Sequence, residues 1–200
     1  MAVHLTCLGL WAGVVAISGA TAAVAFPTLK AMDVRVPGLA PGFESDHYRF
    51  AAGAVAQRVF LIADIVSFTC ALGAAASLLA MVLWLKLPVA KGSLFVRALA
   101  LGVGLAALAA ALFVVTPQIN TAAQLHLAAA QAGDEAAAAV HRKAVNDLHP
   151  MASYLLGAEF FGALIALAAG AWSLGESPAR VKPPGPPEYP EPALLRSRRG

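Results

Sequence analysis

Charged residues are scarce in this chain: Lys, Arg, Asp and Glu make up 12% of its 200 residues, whereas 60% are hydrophobic. The mean hydropathy of +0.73 is far above that of a soluble domain. Such a composition excludes an ordinary soluble globular protein and indicates a protein embedded in a lipid bilayer. We expect the bilayer, and no nucleic acid, to be its main partner.

Cysteine is also rare, and no metal or nucleotide motif is present. The two cysteines, Cys7 and Cys70, both fall in apolar sequence, which favours buried small hydrophobes. The five histidines form no HxxxH or HExxH pair, and the chain has no CxxC, GxSxG, P-loop or dinucleotide fingerprint. We therefore predict neither a metal site nor a cofactor.

What the chain does have is four long apolar stretches, each of about the 20 residues that a helix needs to cross a bilayer. They run from Leu5 to Phe26, from Val59 to Leu85, from Ala98 to Thr116 and from Met151 to Leu174. None has a polar face at helical spacing, and no period-2 alternation indicates a barrel. The sequence predicts an all-α fold, a bundle of four transmembrane helices.

The first stretch also has a feature of a secretory signal, because Ala23-Val24-Ala25 resembles a cleavage site. No Lys or Arg precedes Leu5, however, and the apolar run is longer than the usual signal core of about 7 to 15 residues. We interpret this stretch as a retained transmembrane helix.

Basic residues set the expected orientation through the positive-inside rule. Those after the second stretch and in the tail are Lys86, Lys91, Arg97, Arg180, Lys182, Arg196, Arg198 and Arg199. The opposite loops carry Lys30, Arg35, Arg49, Arg142 and Lys143. This bias predicts a multi-pass protein of the plasma (inner) membrane with both termini in the cytoplasm.

The remaining sequence predicts an outer cap and a tail. Turn residues fill the loop before the second helix, and a helix is expected to begin near Tyr48. Pro117 should kink the end of the third helix. A helical extramembrane segment, broken at Gly133, is expected to follow it. Pro150 suits the first turn of the last span. Residues 1–175 form the predicted membrane domain, and the Pro-rich basic residues 176–200 a disordered cytoplasmic tail.

Two carboxylates lie inside the spans, where an ionisable side chain indicates a functional site by default. Asp64 on the second helix and Glu159 on the fourth lie at comparable depth, and each shares a helical face with small residues. If the two acids meet, they favour a shared proton and proton or cation handling. If instead Arg58, Arg49 or His149 reaches one of them, the acids form a structural ion pair, and this is the interpretation that we prefer.

Short motifs resemble a known family. Leu10-Trp11-Ala12-Gly13 and Ala25-Phe26-Pro27 are similar to the first helix of the transmembrane protein 205-like family, also called domain of unknown function 4149. Residues 116–120, Thr-Pro-Gln-Ile-Asn, resemble the Pro and polar stretch that end that family's third helix. Leu148-His149 resembles the pair that opens its last helix. The resemblance implies a four-helix membrane protein of uncharacterised role.

A second resemblance is to the anthrone oxygenase-like group of four-helix membrane proteins, which carries a Pro-x-x-Asn after its third helix, here Pro117 and Asn120. It implies an enzyme acting on a lipophilic substrate and depending on outer polar residues such as Asn120, His141 and His149.

The first functional hypothesis is therefore a non-enzymatic accessory or scaffold protein that acts through helix contacts with a membrane-protein partner or with copies of itself. The alternative is a proton-coupled or small-solute conduit that uses Asp64 and Glu159. An oxygenase-like membrane enzyme comes third.

Overall fold

The computed structural model describes residues 1–84 and 92–175, and within them every regular element is helical. Helix α1 spans Ala2–Ala31, and a short 3-10 turn over Glu44–Asp46 leads into α2, His47–Trp84. The later elements are α3 (Gly92–Ala110), a π-helical turn (Ala111–Val115), α4 (Thr116–Ala132) and α5 (Glu135–Gly175). The predicted all-α fold is confirmed, and so is the helix start near Tyr48.

The helices extend well beyond the apolar stretches that predicted them. Because α3, the π turn and α4 are continuous, Gly92–Ala132 forms one helical rod of 41 residues. Within the part of the chain that the structure describes, four helices are long and apolar enough to cross a membrane. At about 1.5 Å per residue, a helix of that length exceeds a hydrocarbon core of about 30 Å by several turns. The extramembrane segment is therefore an extension of the spans.

Prolines lie inside these helices without ending them. Pro27 is within α1, and Pro150 is within α5, so the expectation that Pro150 lies in the first turn of the last helix is wrong. Before Pro117 the chain widens into the π turn, where the N–H of Thr116 donates to the carbonyl of Ala111. A proline lacks an N–H and crowds the preceding turn. The wider turn accommodates Pro117 and lets the helix continue.

The bundle is ordered α2, α1, α5, α3. Helix α1 packs on α2 and α5, whereas α3 and α4 pack mainly on α5, and α2 has little contact with α3. A close crossing joins α3 and α5, where a Cβ atom placed on Gly162 would lie 2.9 Å from the carbonyl oxygen of Ala100 and 3.0 Å from the backbone of Gly104. Glycine at this crossing lets two backbones approach closely.

The outward faces are as apolar as the interior. Leu61, Ile62 and Ile65 on α2 are 57%, 63% and 60% exposed, and Phe113 and Phe161 on the later helices are also exposed. Exposed apolar side chains along every long helix require a lipid environment, since water would disfavour them. The chain is accordingly a multi-pass membrane protein.

A cap closes the bundle at the end where α4 meets α5. Gly133 adopts the left-handed conformation at φ 74° that ends α4, and the Asp134 carboxylate accepts the N–H of Ala137 to begin α5, as the sequence predicted. The segment between α1 and α2 packs on this corner: the N–H of Ala40 donates to the carbonyl of Ala130, and Phe43 is buried beside it.

Charged side chains join the two parts of the cap. The Asp46 carboxylate lies 3.7 Å from Arg49 and 3.6 Å from Arg142 of α5. The Glu44 carboxylate accepts hydrogen bonds from backbone N–H groups, its own and that of Gly42, and these hold the pKa of Glu44 below its usual value. The cap is thus ordered by polar contacts outside the apolar part of the bundle.

The predicted cytoplasmic tail, residues 176–200, and the connection over residues 85–91 lie outside the described residues. The orientation of the bundle and the identity of its membrane stay predictions.

Candidate functional site

Glu159 has the most buried carboxyl group of the described residues. It lies on α5 with only 3% of its surface exposed, one turn before the close crossing at Gly162. Residues that follow on the same face, Ala163 and Ala166, are fully buried. The small-residue face that the sequence assigned to Glu159 therefore does point into the bundle.

Trp11 of α1 forms one wall of the site. Its indole is completely buried, and a Cβ atom on Gly104 of α3 would lie 3.0 Å from the ring, so glycine is needed there to accommodate the indole. The indole lies beside the Glu159 carboxyl, although its N–H does not meet the geometry of a good hydrogen bond to it. A buried indole N–H usually finds an acceptor, and the Glu159 carboxyl is the acceptor nearest to hand.

Asp64 of α2 is the second acid of the site. It is half-buried, and Ser67, one turn further along the same helical face, is 1% exposed. The charge of the Asp64 carboxyl acts on Glu159, but their helices, α2 and α5, have little contact with each other. That the two acids meet directly stays a prediction.

No cation balances these acids within residues 1–84 and 92–175. The ion pairs found there involve Asp33, Asp46 and Asp147, and none involves Asp64 or Glu159. The partners considered from sequence, Arg58, Arg49 and His149, are all exposed.

The arrangement limits what the acids can do. Burying an uncompensated carboxylate costs several kcal/mol, and two neighbouring carboxylates repel one another. Each acid is satisfied when it is protonated or when a small cation binds beside it. Reversible binding of a proton or cation is the chemistry that this constellation supports.

The outer-segment candidates lie elsewhere. Pro117 and Asn120 are in the first turns of α4, and His141 is half-buried on the outer part of α5. Within the described ranges no three His, Cys, Asp or Glu side chains are placed to hold a metal ion. These residues belong to the extension toward the cap and do not join the acid pair.

Sequence reasoning missed a second buried polar cluster. Arg97, counted there among loop residues, is 2% exposed inside α3, and His4 of α1 is completely buried. The His4 Nδ1 atom lies 2.9 Å from the Ala74 carbonyl oxygen, to which it donates. Arg97 directly precedes the third apolar stretch in the sequence. Extending the predicted helix by a turn or two toward its N-terminus would have placed Arg97 inside the bundle.

No family model, curated protein or solved structure matches this chain.

Proposed function

We propose that this multi-pass membrane protein binds and releases a proton at Glu159 and Asp64, as part of a proton-coupled or small-solute conduit. The observation that carries the proposal is the buried Glu159 carboxyl, which has Asp64 as its charged neighbour and no countercharge in the described residues. A structural ion pair would have required such a countercharge. The site therefore favours the conduit over the scaffold as the role of these two acids.

The first test is a proton-flux measurement in vesicles that contain the purified protein and a pH-sensitive dye. With a membrane potential imposed by potassium and valinomycin, the wild-type protein is expected to move protons across the vesicle wall. Glu159→Gln keeps the shape of the side chain but cannot ionise, so its flux should fall to that of empty vesicles; Asp64→Asn should reduce it. Glu44→Gln, an exposed acid in the cap, is the matched control and should leave flux unchanged.

Labelling of the same vesicles with a hydrophobic carbodiimide at several pH values shows whether the acid is protonated, because this reagent enters the bilayer and attacks protonated carboxyl groups in apolar surroundings. Mass spectrometry should locate the adduct on Glu159 or Asp64. Flux in Glu159→Gln equal to that of the wild type would refute the proposal, whatever the labelling shows.

A scaffold that acts through helix contacts is the second candidate, and one observation favours it. Gly9 and Gly13 on α1 form a Gly-x-x-x-Gly pair, and a Cβ atom on either would meet nothing within 4 Å in the described part of the chain. Such a face is available to a second helix at close range.

Gly9→Leu together with Gly13→Leu is expected to abolish any dimer that forms through this face, because the larger side chains hold the backbones apart. Chemical cross-linking in native-like lipid, followed by electrophoresis, measures the dimer. The control is Gly102→Leu, an exposed glycine on α3 that also has open space around it. A dimer that persists in the double variant, or a wild-type protein that is monomeric, excludes self-association through α1.

The remaining hypotheses stay predictions. Membership of the transmembrane protein 205-like family rests on the residues quoted above, among them Trp11, which forms a wall of the acid site. An oxygenase-like activity would depend on the outer positions of Asn120 and His141.

A further inference from the structure

The segment between α1 and α2, residues 32–43, is held onto the cap by a histidine. The N–H of Val36 donates to the Nδ1 atom of His47, the first residue of α2, at 2.8 Å. A ring nitrogen accepts a hydrogen bond only while it carries no proton, so this contact requires a neutral His47 with its hydrogen on Nε2. A proton taken up at Nδ1 would set two donors against each other and break the contact.

A carboxylate faces the same histidine and offers its protonated form another partner. Glu44 accepts the N–H of Gly42 at 3.0 Å, and its charge interacts with that of His47. The other charged groups around this pair are Arg35 of the segment and Asp46 of the 3-10 turn. His47 therefore has a partner in either protonation state, the Val36 N–H when neutral and the Glu44 carboxylate when charged.

A second histidine joins the helices of the cap. His126 of α4 stacks on Phe50 of α2, with the ring centroids 4.7 Å apart. Burial is the largest influence on His126 and lowers its pKa. The stability that the neutral ring gives to the cap is therefore present above the ordinary histidine pKa of about 6.5 and is lost as the pH falls below it. The charged groups that face His126 are Asp46 and Arg49 around the start of α2, and His141 and Arg142 of α5.

Both histidine contacts bear on one apolar patch. Phe43, at the end of the segment, is buried in a cluster with Ala130 and Ala138, and Phe50 packs against the same cluster. The N–H of Ala40 donates to the carbonyl of Ala130 at 3.2 Å, the long end of the usual range. Because a falling pH weakens both histidine contacts, the two act in the same direction on this patch.

We propose that residues 32–43 form an acid-released latch: protonation of His47 and His126 detaches the segment from the helices and uncovers the Phe43 patch at this end of the bundle. The latch is closed while both rings are neutral. It rests on the contacts of the cap alone and does not depend on proton binding at Glu159.

The test measures hydrogen–deuterium exchange of the purified protein in nanodiscs, with mass spectrometry of peptides that cover residues 34–43. Exchange at each pH is divided by the intrinsic chemical rate at that pH, so the ratio reports how often the segment opens. From about pH 7.5 to about pH 5.5 we expect opening to become about tenfold more frequent, the factor given by one histidine that is neutral in the closed cap and free to take a proton in the open one. The same opening frequency at both pH values overturns the proposal.

Histidine variants show which contacts respond to pH. His47→Asn places an amide oxygen where Nδ1 lies, an acceptor for the Val36 N–H that takes up no proton, so the rise in opening at acid pH should shrink. Adding His126→Phe, which keeps an aromatic ring against Phe50, should remove the rise. The matched control is His149→Asn, an exposed histidine of α5, which should open as the parent protein does. A rise of the parental size in His47→Asn, or a rise that survives in the double variant, also overturns the proposal.

Discussion

Gly162→Ala is expected to destabilise the bundle by about 1–3 kcal/mol, the usual cost of forcing an extra group into a packed interior. The new methyl would lie 2.9 Å from the Ala100 carbonyl oxygen and 3.0 Å from the Cα and N atoms of Gly104. All three are backbone atoms, so no side-chain rotation relieves the contact and α3 must move away from α5. Unfolding followed by a titration of denaturing detergent in mixed micelles measures the loss.

The matched control for this variant is Gly157→Ala on the same helix. A Cβ atom there meets nothing within 4 Å among the described residues, and alanine is the better helix former by up to about 1 kcal/mol. Gly157→Ala should therefore leave the stability unchanged or raise it slightly. Similar stability losses in the two variants would contradict the assignment of the α3–α5 crossing to Gly162.

The sequence predicted the number of spans because length and apolarity alone decide whether a helix can cross a bilayer. It misplaced their ends for a reason that Pro150 and Pro117 illustrate. A proline that usually marks a boundary is tolerated within a long helix when the neighbouring turn adjusts, as the π turn before Pro117 does. Whether a turn can adjust in this way depends on how it packs against α5. The local sequence pattern contains no information about that packing.

Residue counting gives height along a helix, so a similar depth for Asp64 and Glu159 is a prediction that the sequence can make. The sequence could not show whether Arg58 supplies a countercharge to these acids. Arg58 is on the same helix as Asp64, but its side chain is exposed. The rotation of each helix about its own axis decides which side chains face inward, and in uniformly apolar helices the sequence records that rotation only weakly. The same limit hid the buried positions of Arg97 and His4, and it hid Trp11 as a wall of the acid site.

Trp11→Ala should have the largest effect of any single substitution at the acid site. Removing a fully buried indole typically costs about 3–5 kcal/mol, because the cavity left behind is only partly filled by relaxation. The cavity would lie beside the Glu159 carboxyl, and a polar lining of that kind admits water. We therefore expect two results: lower stability in a denaturing-detergent titration, and modification of Glu159 by a water-soluble carbodiimide that does not reach it in the wild type.

Two further variants separate packing from hydrogen bonding at this position. Trp84→Ala removes an indole that is 83% exposed, so it should change neither the stability nor the labelling of Glu159. Trp11→Phe fills much of the space but lacks the N–H, so it should retain most of the stability while altering proton flux, because that N–H lies beside the Glu159 carboxyl. Equal effects of Trp11→Ala and Trp84→Ala would show that the indole does not seal the site, because only a buried wall makes accessibility and stability change together.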